Sequence, residues 1–72
     1  MFQIEKFGAR LKKLRRETGE SQQVIADLLD VSATQISDLE NGKTTTSFER
    51  LVLLCEHYKV SADYLLGLKD ER

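Results

Sequence analysis

The residues with chemistry to offer gather in one stretch, residues 21–43 (SQQVIADLLDVSATQISDLENGK). Outside its apolar positions stand Gln22, Gln23, Thr34, Gln35, Ser37, Asp38, Asn41 and Lys43, mostly neutral side chains that donate and accept hydrogen bonds. A solvated helix face normally carries Lys and Glu instead, so two readings stand side by side: a recognition edge, or ordinary polar surface. Catalysis lacks its parts, and the chain is not expected to be an enzyme. It has no His paired with Cys or Ser and an orienting acid, no Gly-rich phosphate loop and no metal-ligand spacing. Asp38 and Glu40 lie two apart on a predicted helix and so point to different faces. His57 is read as a surface or half-buried side chain rather than a metal ligand. Cys55, alone on an apolar face, is read as a buried thiol. No metal, cofactor or small-molecule ligand is expected.

Two helices must position that edge. Val24, Ile25, Leu28 and Leu29 fall on one face, and Val31, Ile36 and Leu39 resume the pattern after a break at Asp30. Ser32 followed by Gln35 has the form of a capping box, which starts the second helix at Ala33; it should end near Asn41, where Gly42 suits a left-handed position. Asp30 closes the first helix where glycine fits best, and Asp tolerates that backbone region better than most residues. Ala26 lets the two helices cross closely. This is the pattern of a helix-turn-helix, whose second helix lies in a DNA major groove.

The rest of the chain reads as support. Ile4, Phe7, Leu11 and Leu14 draw a stripe for a first helix over residues 4–18, which Gly8 weakens and Gly19 ends; Ser21 then caps the second. Arg15, at the border of that stripe, needs a partner. Residues 43–47 read as a loop whose Thr46 or Ser47 caps a fourth helix over residues 48–58, with Phe48, Leu51, Val52, Leu54, Cys55 and Tyr58 turned inward. Val60 packs, Ser61 caps a short fifth helix over residues 62–66, Gly67 closes it, and residues 69–72 fray. Tyr64, Leu65, Leu66 and Leu68 offer more apolar surface than so short a helix can cover, so they either complete the core or form a dimer interface.

Seventy-two residues without proline, 40% hydrophobic and 32% charged, imply one all-helical domain spanning residues 1–72 with its core over residues 4–68. No run is long enough to span a membrane and no signal-peptide profile is present, so a cytoplasmic location without membrane contact is expected. A net charge of −1 argues against nucleic acid. Its distribution argues the other way, because six of the eleven basic residues (Lys6, Arg10, Lys12, Lys13, Arg15 and Arg16) fall in the first helix. They either present a positive side to DNA or form a plain solvated face.

Over residues 7–68 the chain closely resembles the Cro/repressor-type (XRE) helix-turn-helix family of transcription regulators. The resemblance is carried by FGARLKKLRRETGESQ, IADLLDVSATQISDLENGK and SFERLVLLCEHYKVSADYLLG in that order and spacing. It implies a compact five-helix, lambda-repressor-like DNA-binding domain. It also implies roles: base reading by Ala33, Thr34 and Asp38 with Gln35 and Ser37 close by; backbone contact by Gln22, Gln23, Asn41, Lys43 and Thr44; and an internal ion pair between Arg15 and Glu40. Asp30 departs from the family's usual glycine. With Ala33 and Asp38 at reading positions, the common Arg–guanine and Gln–adenine pairings are absent there. Ala33 can touch a thymine methyl and Asp38 can accept from cytosine N4, which leaves Thr34 and Gln35 most of the reading.

The resemblance implies a sequence-specific double-stranded DNA-binding regulator, a repressor acting as a homodimer on a palindromic operator with half-sites about 34 Å apart. The alternative is an antitoxin-like or antirepressor-like module that keeps the fold but binds protein, which the near-neutral charge and Asp38 favour.

Overall fold

The apolar stripe of the first twenty residues is realised as predicted. In a computed structural model, which describes residues 1–72, α1 (Ile4–Glu17) buries Phe7, Leu11 and Leu14. After it come α2 (Gln22–Leu29), α3 (Ala33–Glu40), α4 (Phe48–Tyr58) and α5 (Ala62–Leu65), with no strand. α3 lies against both α1 and α2, α4 packs on α2 and α5, and α5 returns to α1. Ile25, Ala26 and Leu29 of α2, Ile36 and Leu39 of α3, and Leu54 of α4 join the α1 stripe in one core with Val60, Tyr64 and Leu65. Fully burying each of Leu11, Ile25, Ile36, Leu54 and Leu65 contributes roughly 1.5–3 kcal/mol. Ala26 is wholly buried where α2 meets its neighbours, as its small side chain allows. No helix is long and apolar enough to cross a membrane.

Local chemistry sets the helix ends. Ser32 Oγ accepts from the Gln35 N–H at 3.2 Å while Gln35 Oε1 accepts from the Ser32 N–H at 3.0 Å, completing the capping box. Ser47 and Ser61 accept from Arg50 N–H and Tyr64 N–H in the same manner. Ser21 occupies the cap position of α2 in extended backbone, but its side chain bonds nothing there. Asp30 takes up the left-handed conformation expected of it (φ 56, ψ 49), and Lys59 closes α4 in the same way. Left-handed backbone is costly for any residue with a Cβ. Asp30→Gly and Lys59→Gly should therefore each stabilise the fold by roughly 0.5–1 kcal/mol, after allowing for the extra freedom glycine gives the unfolded chain. Each gain should appear as a thermal midpoint about 2–8 °C higher.

Several side chains expected inside are not. Val24 is 43% exposed because it precedes Ile25 by one position, about 100° round the helix from the buried face. Phe48 is 87% and Val52 54% exposed: α4 fully buries only Leu54, with Leu51, Cys55 and Tyr58 half-buried. Burial pushes the Cys55 thiol up from its ordinary value, which keeps it protonated and unreactive.

The tail expected to fray is tied down. Arg72 C=O accepts from the Ser61 N–H at 2.8 Å, and the Arg72 guanidinium lies 2.6 Å from Glu17 and over the Tyr64 ring. From α1, Arg10 donates to the Tyr64 and Lys69 carbonyls and to Asp70, with its own guanidinium 4.3 Å from the same ring centroid. Both guanidiniums thus lie over the Tyr64 ring, an arrangement that needs the folded α1 beside the tail.

Candidate nucleic-acid interface

α3 is fixed from within by Ile36, Leu39 and Glu40, all buried. Positions 34, 38 and 41 come round on the opposite side, so Thr34, Asp38 and Asn41 form its outward edge, with Gln35 and Ser37 flanking it. Thr34, Gln35 and Asn41 are exposed, and Ala33, Ser37 and Asp38 are half-buried. All five residues assigned to base reading therefore share one helix, and none is sealed in the core.

The inner side of α3 carries an unusual load for a core. Glu40 is 5% exposed, and both its oxygens are used: Oε2 accepts from Arg15 Nε at 2.6 Å, and Oε1 from Arg15 Nη2 at 3.0 Å and Gln22 Nε2 at 3.0 Å. Arg15 Nη1 also donates to the Glu20 carbonyl at 2.9 Å. The bond to Glu40 is the main cause that raises the Arg15 guanidinium above its ordinary value. One carboxylate thereby joins α1, the start of α2 and the last residue of α3. Gln22 gives one amide hydrogen to this network and keeps the other for an outside acceptor. Gln23 gives one of its own to Asp27 at 2.8 Å.

Beyond α3, Gly42 turns the chain at φ 72, and a Cβ there would meet the Glu5 Cα at 3.0 Å. The Lys43 N–H returns to the Asp38 carbonyl at 2.9 Å, so the turn that presents exposed Lys43 and Thr44 is anchored to both α1 and α3. Asn41 reaches Ser37 Oγ only at 3.4 Å, which leaves its amide available.

The expected positive side of α1 is half occupied. Lys6 and Arg10 face Asp70, and Arg15 faces Glu40; Lys12, Lys13 and Arg16 remain, beside Ala9 and Glu17 on the outer surface. Charge counting along a helix could not separate cations that hold the fold from cations that face solvent. Two further residues carry no signal in the sequence. Arg50, in the first turn of α4, enters the cleft between α3 and the following loop. Glu20, in the α1–α2 connection, is a second hub. It accepts from Tyr58 Oη at 3.0 Å and Thr18 Oγ1 at 2.9 Å and sits 2.7 Å from His57 Nε2. His57 is thus a surface residue, within the expectation of a surface or half-buried side chain, with a carboxylate for a partner.

Burial opposes the Glu20 charge, but the bonds from His57, Thr18 and Tyr58 outweigh it and hold the carboxyl below its ordinary 4.5. A carboxyl depressed in the folded state adds stability that is present above the unfolded value and is lost as pH falls through the folded one. The urea midpoint should therefore fall as pH drops below 4.5, and Glu20→Gln should flatten that part of the profile. An unchanged profile in the variant would show that other carboxyls carry the acid limb. Burial, then the Glu20 bond, push the Tyr58 hydroxyl well above its ordinary value, so it stays a donor across this range.

Of the four residues offered as an interface, Tyr64 and Leu65 are buried at 4% and 0% and belong to the core. They cannot meet a partner. Leu66 is half-buried and Leu68 53% exposed, and both line an apolar hollow of about 240 Å³ with Phe2, Phe48 and Leu51 among its walls. The short α5 turns its last two residues inward and leaves Ala62 and Asp63, with the trailing Leu68, to solvent.

Residues 6–66 match the family model of a helix-turn-helix domain. The chain is similar to the HTH-type transcriptional regulator PrpR of Mycobacterium tuberculosis, 38% identical over 65 residues that cover 90% of this chain and 13% of that protein. It is also similar to the HTH-type transcriptional regulator ImmR of Bacillus subtilis, 38% identical over 64 residues, covering 89% of this chain and 50% of the relative. The chain therefore spans half or less of these curated relatives. Among solved structures, the P22 c2 repressor protein in complex with a synthetic operator superposes with a TM-score of 0.80 at 28% identity, covering 88% of this chain and 96% of that one.

Proposed function

The chain belongs to the Cro/repressor-type helix-turn-helix family of transcriptional regulators, and from that membership we propose that it binds duplex DNA sequence-specifically by setting α3 in the major groove. The observation that carries this reading is the division of α3 into an inner side locked by Ile36, Leu39 and the Arg15–Glu40 pair and an outer edge where the Thr34 and Asp38 side chains bond nothing in the protein and Asn41 makes only a long bond to Ser37. Such a helix is a rigid rod that presents side chains without reorganising them. The similar P22 c2 repressor, solved in complex with a synthetic operator, supports the reading that the partner is DNA.

Roles follow from which atoms are free. Thr34, Gln35 and Asp38 read bases, with Ala33 and Ser37 beside them; Gln22, Gln23, Asn41, Lys43 and Thr44 hold the backbone. Gln35 has its Oε1 committed to the Ser32 N–H, so it faces the groove through its Nε2 hydrogens. It reads acceptors, guanine N7 or O6 or thymine O4, rather than pairing with adenine through both amide atoms. Asp38 accepts from an exocyclic amine. The regulator acts by occupancy in the cytoplasm, as a repressor and a homodimer whose two-fold contact uses Leu66, Leu68, Phe2 and Phe48 in place of the buried Tyr64 and Leu65.

Binding to random duplexes should weaken steeply between about 50 mM and 200 mM salt. Selection from random DNA should then return a two-fold motif. Gln35→Ala should change the selected motif and also cost about 1 kcal/mol of stability through loss of the capping box. A chain that ignores both heparin and mixed duplexes at low salt would instead be a protein-interaction module, the reading that its net charge of −1 favours.

A further inference from the structure

α3 and the loop that follows it line a cleft of about 380 Å³ whose polar lining comes from Gln35 and Asp38 of α3, Thr44, Thr45 and Thr46 of the loop, and Arg50 of α4. Arg50 Nε donates to the Leu29 carbonyl at 3.2 Å, an acceptor at the end of α2 that no N–H of that helix reaches. This bond fixes the plane of the guanidinium. Arg50 takes part in none of the ion pairs, and its Nη1 and Nη2 groups bond nothing in the protein. Neither is sealed away, since no buried side-chain nitrogen lacks a partner. An oriented fork with two open donor nitrogens, beside threonine hydroxyls, is a geometry for binding two oxygens of one phosphate.

We propose that Arg50, with the hydroxyls of Thr44, Thr45 and Thr46, clamps one backbone phosphodiester of duplex DNA at the edge of the groove that α3 enters. The inference rests on the DNA-binding reading above. It also explains how Asp38 can stand in an anionic groove: Arg50 shares its cleft and offsets its charge, leaving the carboxylate to face a base amine. Because Arg50 is anchored through the α2 C-terminus, the clamp sets the register of the whole helix-turn-helix against the strand.

The test measures affinity for a random-sequence duplex as a function of salt for the whole chain and its variants. Arg50→Gln should lower affinity about tenfold per protomer and reduce the salt slope by roughly 0.9 per protomer, equally on all sequences. Arg50→Lys, which keeps the charge but not the fork, should retain the slope and still lose affinity several-fold; it serves if the glutamine variant does not fold. Wild-type binding with an unchanged slope and affinity in Arg50→Gln, or wild-type affinity in Arg50→Lys, overturns the clamp alone. A wild-type chain that binds no duplex overturns the DNA-binding reading and the clamp with it.

Discussion

Arg15→Met should cost roughly 3–5 kcal/mol of folding stability, most of what a chain of this size commands. The reason lies in the partner left behind. The Glu40 side chain is 1% exposed, and two of the three hydrogen bonds to its oxygens come from Arg15. Without the guanidinium a carboxylate sits in the core with only the Gln22 amide, and an uncompensated buried charge is far more costly than a missing contact. The urea midpoint of the variant reports this directly. Replacing both partners, Arg15→Met with Glu40→Leu, should restore most of the loss, because desolvation of the two charges cancels much of their attraction. The double variant then separates two roles of the pair. Full stability with weakened, less selective DNA binding would mean that the pair sets the angle of α3; full stability with unchanged binding would mean that packing alone sets it.

What could be read before folding was chemistry completed within a few residues. The Ser32–Gln35 box, the left-handed turn at Asp30, the caps at Ser47 and Ser61 and the bounds of α4 all depend on neighbours in sequence, and all stand where expected. The Arg15–Glu40 pair spans 25 positions, and only the family resemblance supplied it. Partition between core and surface was harder, because it depends on which element lies alongside. Tyr64 and Leu68 look alike in the sequence, yet one is gripped by Arg10 and Arg72 and the other faces solvent. Arg50 was hidden for the same reason: beside Leu51 it looks like a plain surface cation, and only the end of α2 arriving at its Nε gives it a fixed direction.

By helix propensity Gly8 weakens the first helix, yet its replacement should show the opposite. On helix propensity alone Gly8→Ala would stabilise by about 1 kcal/mol. The structure leaves no room for the methyl: a Cβ at position 8 would lie 2.6 Å from the Glu40 carbonyl oxygen and 2.9 Å from its carbonyl carbon, and would also press on the Leu39 carbonyl oxygen. These are backbone atoms of α3, which cannot rotate aside, so α1 and α3 must separate. Separation loosens Phe7 and Leu11 against Leu39 and stretches the Arg15–Glu40 bonds that the close approach allows. The net result should be a loss of roughly 2–3 kcal/mol, since overpacking outweighs the propensity gain. Ala9→Gly, at an exposed position one residue away, supplies the control: it should lose only the propensity difference of about 1 kcal/mol. A Gly8→Ala variant more stable than the parent would mean that the α1–α3 approach is looser than described. A destabilised one that also binds DNA less tightly than its remaining folded fraction predicts would show that Gly8, 25 residues or more before the reading edge in sequence, sets the position of the edge in space.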